Sequence, residues 1–224
     1  MPRKALKALT LRKGNLLLSR RLKLRIGSTV GIAFAALSLG AASANAGVLV
    51  ASAPACGLQP LFKPFTPWLD YLQYTPLAGG DFESPVHGWK LSGGSRVMAG
   101  NEPFQVSGPG DLRSLTVPPG GSATSPTICV GIGHPTMRFF AKRTSGDLLR
   151  VDVLFENAAG AVQSLPIGTV PGVGGWQPTL PLPVLANLLP LLPNGHTPVA
   201  FRFTPIRGGS WSIDDVHVDP YQRR

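Results

Sequence analysis

The stretch GGSWSIDDVHVDP, residues 208–220, has the alternation of a β-strand, but the phase of that alternation changes in the middle. The apolar residues lie at odd positions before the two acids and at even positions after them: Trp211 and Ile213, then Val216 and Val218. An extra residue at Asp214–Asp215 would switch the apolar face in this way, which is what a β-bulge does. The pattern therefore predicts a long terminal strand with a bulge at its two acids.

The two acids inside this apolar strand also need a partner. A strand buried on both faces would leave their carboxylates unpaired at a high free-energy cost. A bound cation would remove that cost, and Ca²⁺ takes several oxygen ligands from separate segments of a chain. A turn in which arginine or backbone N–H groups bind the acids, without a metal, is the alternative.

Short β-like stretches fill the chain before this strand. Apolar and polar residues alternate in LLRVDVLFE (148–156) and again in PVAFRFTP (198–205), and glycine and proline separate most such stretches. VLANLL (184–189) fits a single helical turn, and no long amphipathic helix is present. We therefore predict an all-β fold, an antiparallel β-sandwich of jelly-roll type with an extended N-terminal segment. The predicted strands are 78–83, 95–98, 103–107, 112–117, 123–130, 136–143, 148–156, 162–168, 176–182, 198–204 and 211–219.

The basic residues are concentrated at the start of the chain. Residues 1–46 hold nine of the 21 lysines and arginines and none of the 11 acids, so the net charge of +10 falls to +1 in the remainder. A basic stretch, an apolar run over 26–42 and Ala44-Asn45-Ala46 together predict a secretory signal peptide. A membrane anchor is the alternative, and the export route, general or twin-arginine, stays open. We expect a secreted protein that binds neither nucleic acid nor, after cleavage, a membrane.

The exported part is predicted to contain one domain and one disulfide. Residues 47–77 are an Ala-, Pro- and aromatic-rich segment, expected to be extended and to cover apolar surface, and residues 78–224 are the β-sandwich. Cys56 and Cys129 are the only cysteines, and an exported protein meets oxidising conditions. A bridge between them is predicted, with two buried thiols as the alternative. The 47–77 segment is expected to cover apolar surface with its aromatic side chains, and an exposed stacking strip is the alternative; the aromatics are Phe62, Phe65, Trp68, Tyr71 and Tyr74.

A second acidic group stands in GGDFESPVHGW, residues 79–89. Its Gly-Asp-Phe-Glu start and following Gly-Trp, taken with the closing W-x-I-D-D-V-x-V, resemble the jelly-roll carbohydrate-binding modules and their galactose-binding-like relatives. In that family the first and last strands lie side by side and commonly share a structural Ca²⁺. The resemblance implies Glu83 and Asp215 or Asp214 as side-chain ligands of Ca²⁺, with backbone oxygen near Gly80 or Asp81. The middle of the chain, including GNEPF (100–104) and HPTMRFFA (134–141), is also similar to secreted bacterial proteins with no assigned activity.

The same resemblance implies that the domain binds a glycan or cell-envelope polymer. Such modules stack sugar rings on exposed aromatic side chains. Trp176 and Trp89 are the candidates for this role, whereas Trp211 shares a face with Ile213 and should belong to the core. A structural or interaction domain without a sugar site is the alternative function, and no oligomeric state is predicted.

The sequence contains none of the catalytic motifs that we considered. H-E-x-x-H, C-x-x-C, G-x-S-x-G and the P-loop are all absent. A glycosidase needs two facing carboxylates, for which Glu102 and Glu156 are the available pair. A loop position for Glu102 and an outward strand end for Glu156 predict solvated charges instead. We therefore predict a protein that is not an enzyme, with an unrecognised hydrolase as the remaining alternative.

Intact mass spectrometry of the exported protein, without reductant, tests both processing and the disulfide. We expect the mass of residues 47–224 less two hydrogen atoms, because cleavage follows Ala46 and Cys56 is bridged to Cys129. Reduction should add those two hydrogens back. A mass that includes residues 1–46 would contradict the signal peptide, and an unchanged mass on reduction would contradict the bridge.

Overall fold

Two antiparallel β-sheets pack face to face around one main core in the computed structural model. It describes residues 48–52, 59–84, 88–145, 148–172, 174–191 and 195–219. The strands are β1 (Thr75–Pro76), β2 (Lys90–Ser92), β3 (Arg96–Ala99), β4 (Arg113–Val117), β5 (Ser122–Thr124), β6 (Ile128–Val130), β7 (Thr136–Ser145), β8 (Leu148–Glu156), β9 (Val162–Pro171), β10 (Gln177–Pro178), β11 (Leu182–Pro183), β12 (Thr197–Ile206) and β13 (Ser210–Asp219). A short helix α1 (Val48–Ser52) and two 3₁₀ turns, Thr66–Trp68 and Ala186–Leu188, complete the described elements. The predicted all-β sandwich is confirmed.

The terminal strand β13 lies inside the first sheet, here called sheet I. Its strand order is β10-β7-β13-β4-β3, with β1 also paired to β13 and β11 also paired to β7. Sheet II has the order β2-β5-β12-β8-β9, with β6 also paired to β12. Apolar side chains from the inner faces of both sheets, such as Phe139 of β7 and Phe203 of β12, meet in the core.

The predicted bulge in β13 is confirmed. The register between β13 and β7 shifts between Asp214 and His217, and Asp215 has a left-handed φ of 48°. All four apolar residues around the bulge are buried in the core: Trp211, Ile213, Val216 and Val218. The extra residue therefore keeps both halves of the strand directed at the core, as the change of phase requires.

The opening of the domain lies against this bulge. The Leu77 N–H donates to the Val216 carbonyl (2.8 Å), and the Val216 N–H donates to the Gly80 carbonyl (3.1 Å). A Cβ at Gly80 would lie 2.9 Å from the Leu77 carbonyl oxygen, so this close approach needs glycine. The first and last strands are thus neighbours, as the family resemblance implied.

The local predictions fail mainly at turns. Residues 78–83 and 103–107 are turns rather than strands, with positive φ at Phe82 (55°) and Gln105 (51°). The predicted strand 123–130 divides into β5 and β6 around Pro126, because proline has no N–H to give to a sheet. The predicted strand 176–182 is reduced to β10 and the start of β11, whereas β2 was not predicted at all. The predicted helical turn within 184–189 is confirmed at Ala186–Leu188.

The N-terminal segment covers apolar surface with only some of its aromatic side chains. Phe65 and Tyr74 are fully buried against Phe140, on the face of sheet I that points away from the main core. Phe62 and Tyr71 are exposed, so the expectation that they pack is wrong. Val48–Ser52 is helical, not extended.

Several sequence predictions fall outside the described residues. The signal peptide 1–46 and Cys56 are among these, so cleavage and the bridge stay predictions; Cys129 is buried in β6. Among the described residues, no helix is both long and apolar enough to span a bilayer.

Glu156 is a buried carboxylate, 8% exposed, and not the solvated charge that was predicted. Its Oε1 accepts the Leu49 N–H and its Oε2 accepts the Val50 N–H (3.4 Å), at the first turn of α1. Leu49 packs beside it on Leu154 and Ala200, on the outer face of sheet II. Glu156 therefore fixes α1 to sheet II.

Replacing this carboxylate should loosen α1. We expect Glu156→Ala to lower the free energy of unfolding by about 1–3 kcal/mol, since hydrogen bonds to a buried charge are lost. Chemical denaturation measures the change. The same substitution in a chain that begins at residue 53 should have no destabilising effect, because α1 is then absent. An equal loss in both chains would contradict the role of Glu156 as the anchor of α1.

Candidate metal centre and aromatic surface

Three carboxylates meet beside the bulge of β13. Oxygen atoms of Glu102, Asp111 and Asp215 lie within 4.8 Å of one another, and the side chains are 0%, 2% and 1% exposed. Asp215 is the bulge residue, and the other two stand near the ends of the β3–β4 connection, residues 100–112, here called the acid loop. We call the three residues the acid cluster.

Hydrogen bonds hold the acid loop in the shape that brings these carboxylates together. The Glu102 carboxylate accepts the N–H groups of Phe104 and Val106, the second at 2.7 Å. Ser107 Oγ donates to Asp215 Oδ1. The Glu102 N–H donates to Asp214 Oδ2 (3.2 Å), so both bulge acids bind the loop.

Three oxygen atoms of the acid cluster are buried without a hydrogen-bond partner. They are Oδ1 and Oδ2 of Asp111 and Oδ2 of Asp215. Buried polar atoms in folded proteins nearly always have a partner, because an unpaired one loses the free energy of its hydration. Unpaired oxygens at the centre of a carboxylate cluster therefore point to a bound cation or to protons.

Burial and mutual repulsion raise the pKa values of the acids at this site. Burial, with the charges of Glu102 and Glu83, raises the pKa of Asp111 to about 6, against a lowering effect of the Asn101 side chain. Burial, with the charges of Asp111, Glu102 and Asp81, raises the pKa of Asp215 to about 7. Burial, with the charges of Asp215 and Asp111, raises the pKa of Asp214 to about 10. In the absence of a cation, each of these folded-state carboxyls holds its proton more tightly than in an exposed setting.

The donor set of the acid cluster fits a hard divalent cation such as Ca²⁺. Each member offers carboxylate oxygen, two from the acid loop and one from β13. The nearby His217 is engaged elsewhere, since its Nδ1 bonds the Asp215 carbonyl oxygen at 2.8 Å. Oxygen-only donors favour Ca²⁺ over the softer transition metals.

The ligands expected from the sequence lie around the acid cluster, and only Asp215 belongs to it. Glu83 Oε1 accepts the Leu112 and Arg113 N–H groups at the end of the acid loop. The Asp214 carboxylate accepts the backbone N–H groups of Glu102 and Asp215. Asp81 lines a groove of about 530 Å³ that also reaches Asp215, Ser107 and His217.

Sequence reasoning missed two members of the cluster. Glu102 is fully buried, so its predicted solvated state is wrong, and Asp111 was not singled out. Both residues lie in a loop that contains glycine and proline and has no metal-binding motif, so nothing local distinguishes them from solvent-exposed loop acids. The available signal was that the loop holds acids at both ends and precedes a strand that pairs with β13.

A separate group of aromatic side chains lies on the outer face of sheet I. Phe140 of β7 is its buried centre, and Trp68, Phe104 and Trp176 surround it; we call these three the aromatic surface. The ring centroids of Trp68 and Phe104 are 4.7 Å apart, and each is within 6 Å of Phe140 (5.2 and 5.7 Å). Phe104 is 44% exposed and the two tryptophans are half-buried, so the group is partly open to solvent.

Polar side chains continue the same face of sheet I next to the aromatic surface. Lys142 stands two residues after Phe140 on β7, so both side chains are on the same face. Its cross-strand neighbour on β13 is Ser212. The cross-strand neighbour of Ser212 on β4 is Thr116. All three are half-buried, and none bonds to another side chain in the described part of the chain. Hydrogen-bonding groups therefore lie beside open aromatic rings.

The two tryptophans proposed from the sequence have different environments. Trp89 is 7% exposed, packs on Phe82 and Phe203, and donates its Nε1–H to the Ala78 carbonyl (3.0 Å). A ring enclosed in this way does not present a face to a sugar, so we withdraw Trp89 as a ligand-binding residue. Trp176 belongs to the aromatic surface, whereas Trp211 is in the core, as predicted.

Comparison with known proteins finds similar solved structures, three of which are 12–17% identical to this chain. No family model and no curated protein matches the chain. The chain is similar to the CBM22-1 and GH10 modules of endo-1,4-β-D-xylanase 10B from Clostridium thermocellum (17% identity over 63% of this chain and 28% of that chain, TM-score 0.45). It is also similar to the CBM22-1 xylan-binding domain of Xyn10C from Paenibacillus barcinonensis (12% identity over 64% of this chain and 92% of that chain, TM-score 0.42). A third similar structure is the family 11 carbohydrate-binding module of a Clostridium thermocellum cellulosomal cellulase (13% identity over 67% of this chain and 96% of that chain, TM-score 0.39). Solved carbohydrate-binding modules are thus among the structures that this chain resembles, each with a TM-score below 0.5.

The raised pKa values predict how stability depends on pH when no metal is present. The folded-state pKa values of Asp111 and Asp215 exceed the ordinary 3.8, so the native state binds more protons than the unfolded chain at intermediate pH. In metal-free buffer, their contribution to stability should therefore fall as pH rises from about 4 to about 7. Added Ca²⁺ should restore stability at pH 8, by about 2.7 kcal/mol at a hundredfold excess over its Kd.

Melting curves at pH 5 and pH 8, with and without Ca²⁺, measure this effect. Asp215→Asn is the matched variant, because it keeps the shape of the side chain and removes the charge. Its melting temperature should respond much less to Ca²⁺. An equal Ca²⁺ response in the wild type and in Asp215→Asn would contradict a cation site that uses Asp215.

Proposed function

We propose that this protein is a secreted, non-catalytic glycan-binding module stabilised by Ca²⁺. The observation that carries the binding proposal is the aromatic surface, in which Trp68, Phe104 and Trp176 stand partly exposed on one sheet face. Sugar rings have apolar C–H faces that stack on such rings, and their hydroxyl groups need hydrogen-bonding partners. Lys142, Ser212 and Thr116 supply polar groups on the same face.

The arrangement of the two candidate catalytic carboxylates supports a non-catalytic role. Hydrolysis of a glycosidic bond needs two carboxyl groups that face the same bond, about 5–9.5 Å apart. Glu102 belongs to the acid cluster beside sheet I, whereas Glu156 is on the outer face of sheet II and binds the backbone of α1. These two residues therefore do not form a glycosidase pair.

The role of Ca²⁺ in this proposal is structural. When bound, the ion supplies positive charge and open coordination positions to the unpaired oxygens of Asp111 and Asp215. Glu102, Asp111 and Asp215 would hold it, and their convergence ties the acid loop to the bulge of β13. The alternative function, a structural or interaction domain, predicts the same connection between the acid loop and the bulge of β13, but no sugar binding.

A glycan array with the exported protein, followed by calorimetry on the best ligand, tests the binding function. We expect Trp68→Ala and Trp176→Ala each to weaken binding by roughly 2- to 10-fold, as expected for one aromatic contact. Arg150→Ala, on the outer face of sheet II, is the control and should leave affinity unchanged.

The outcome of this experiment separates the two functions. A folded protein that binds no glycan would support the structural alternative. Binding that survives both tryptophan substitutions and is lost in Arg150→Ala would place the site on sheet II, and would contradict the role of the aromatic surface.

A further inference from the structure

The acid loop connects the candidate metal centre to the aromatic surface. Glu102 belongs to the acid cluster, and Phe104, two residues later, belongs to the aromatic surface. We infer that a divalent cation held by Glu102, Asp111 and Asp215 controls the aromatic surface, by holding Phe104 against Trp68 and Phe140. The identity of the ligand as a glycan rests on the proposed function, whereas the coupling between cation and surface does not.

The tip of the acid loop is attached mainly through carboxylates. Glu102 accepts the Phe104 and Val106 N–H groups, and Ser107 Oγ donates to Asp215, so these bonds fix the backbone that carries Phe104. Apolar contacts of Phe104 with Trp68 and Phe140, and of Val106 with the cluster around Phe140, add to these bonds, whereas Pro103 and Gln105 are exposed. The position of Phe104 therefore depends in part on the state of the acid cluster.

The base of the acid loop is held independently of the cluster. The Gly100 N–H donates to the Leu112 carbonyl (2.7 Å), and Glu83 accepts the Leu112 and Arg113 N–H groups. Gly100 and Gly108 have φ values of 100° and 112°, and a Cβ on either would meet no atom within 4 Å. Hydrogen bonds thus close the loop at its base. A glycine with no close neighbour stands on each side of its tip.

Loss of the cation should move the tip and leave the sandwich in place. Three carboxylates within 4.8 Å repel one another once the balancing charge is removed. Asp215 is fixed in β13, whereas Glu102 stands in the loop, so displacement of the loop tip relieves the repulsion. Phe104 then leaves Trp68 and Phe140, which removes one of the three rings of the aromatic surface.

The second observation that points to a cation is the set of unpaired oxygens. Asp111 is 2% exposed with both carboxylate oxygens unpartnered, and Asp215 Oδ2 is equally without a partner. Both residues belong to the group that converges within 4.8 Å. Hydrogen bonds inside the protein satisfy the carboxylates of Glu83, Glu102 and Asp214, so the unpaired oxygens of Asp111 and Asp215 are the atoms left to bind an ion.

Hydrogen exchange of the exported protein at pH 7.5, with Ca²⁺ or with EGTA, tests the coupling without a glycan. We expect at least tenfold faster exchange at the amides of 102–107 in EGTA, and reversal on adding Ca²⁺. The amides of β8 and β12 serve as the internal control and should be unchanged. Tryptophan fluorescence should also change with Ca²⁺, and Trp68→Phe should remove most of that change.

Two variants and one control separate the effect of the cation from the effect of the aromatic surface. Asp111→Asn should lose the Ca²⁺ response of the 102–107 amides, whereas Asp152→Asn, a buried acid of sheet II, should keep it. Phe104→Ala should keep the Ca²⁺ response at the remaining amides and weaken glycan binding to the level of wild type in EGTA. Wild-type glycan affinity should fall roughly 2- to 10-fold in EGTA, as expected for loss of one aromatic contact.

Each result bears on the coupling separately from the proposed function. Absence of Ca²⁺ binding, or Ca²⁺ binding with unchanged exchange at 102–107, would overturn the coupling. So would loss of protection throughout β8 and β12, because the effect would then be global. If exchange at 102–107 responds as expected but no glycan binds in either state, the coupling stands and the glycan-binding function fails.

Discussion

The bulge at Asp214–Asp215 is the constraint on which the rest of this structure depends. Without the extra residue, either the first or the second half of β13 would turn its apolar side chains away from the core. The bulge also places Asp215 at a left-handed φ, where its carboxylate accepts the Ser107 hydroxyl of the acid loop, while the next residue, Val216, donates its N–H to the Gly80 carbonyl. One irregularity therefore aligns the core, connects the opening of the domain to its last strand and creates the acid cluster.

Much of the fold could be predicted from the sequence because the relevant patterns are local. Alternation fixed the bounds of β8 to the residue, and the change of phase in β13 located the bulge. The candidate site was less accessible, since convergence in space has no local signature. Glu102 looked like an ordinary loop acid, and only the pairing of β3, β4 and β13 brings it to Asp215. Trp89 was misjudged for a related reason, because part of its burial comes from Phe203 on β12, far away in the sequence.

The two outer faces of the sandwich serve different purposes. The outer face of sheet II is occupied by salt bridges of Asp152 with Arg150 and Arg202, and by the contact between α1 and Glu156. The outer face of sheet I carries a second apolar centre around Phe140, which the N-terminal segment covers only in part. Phe65 and Tyr74 complete that centre, and the rings left at its border are those that face solvent. An aromatic-rich segment thus covers most of this sheet face and leaves an edge of it open to solvent.

The prolines at the borders of the sheets have a consequence for association. The outermost strand of sheet II is β9, which contains Pro166 and Pro171, and the strands bordering β7 in sheet I, β10 and β11, are two residues long and each end in proline. A foreign strand needs a continuous row of free N–H and C=O groups, and proline interrupts that row. The opposite borders, β2 and β3, are three and four residues long. The described sheets therefore offer poor templates for amyloid-like growth, even though most of their residues favour extended structure.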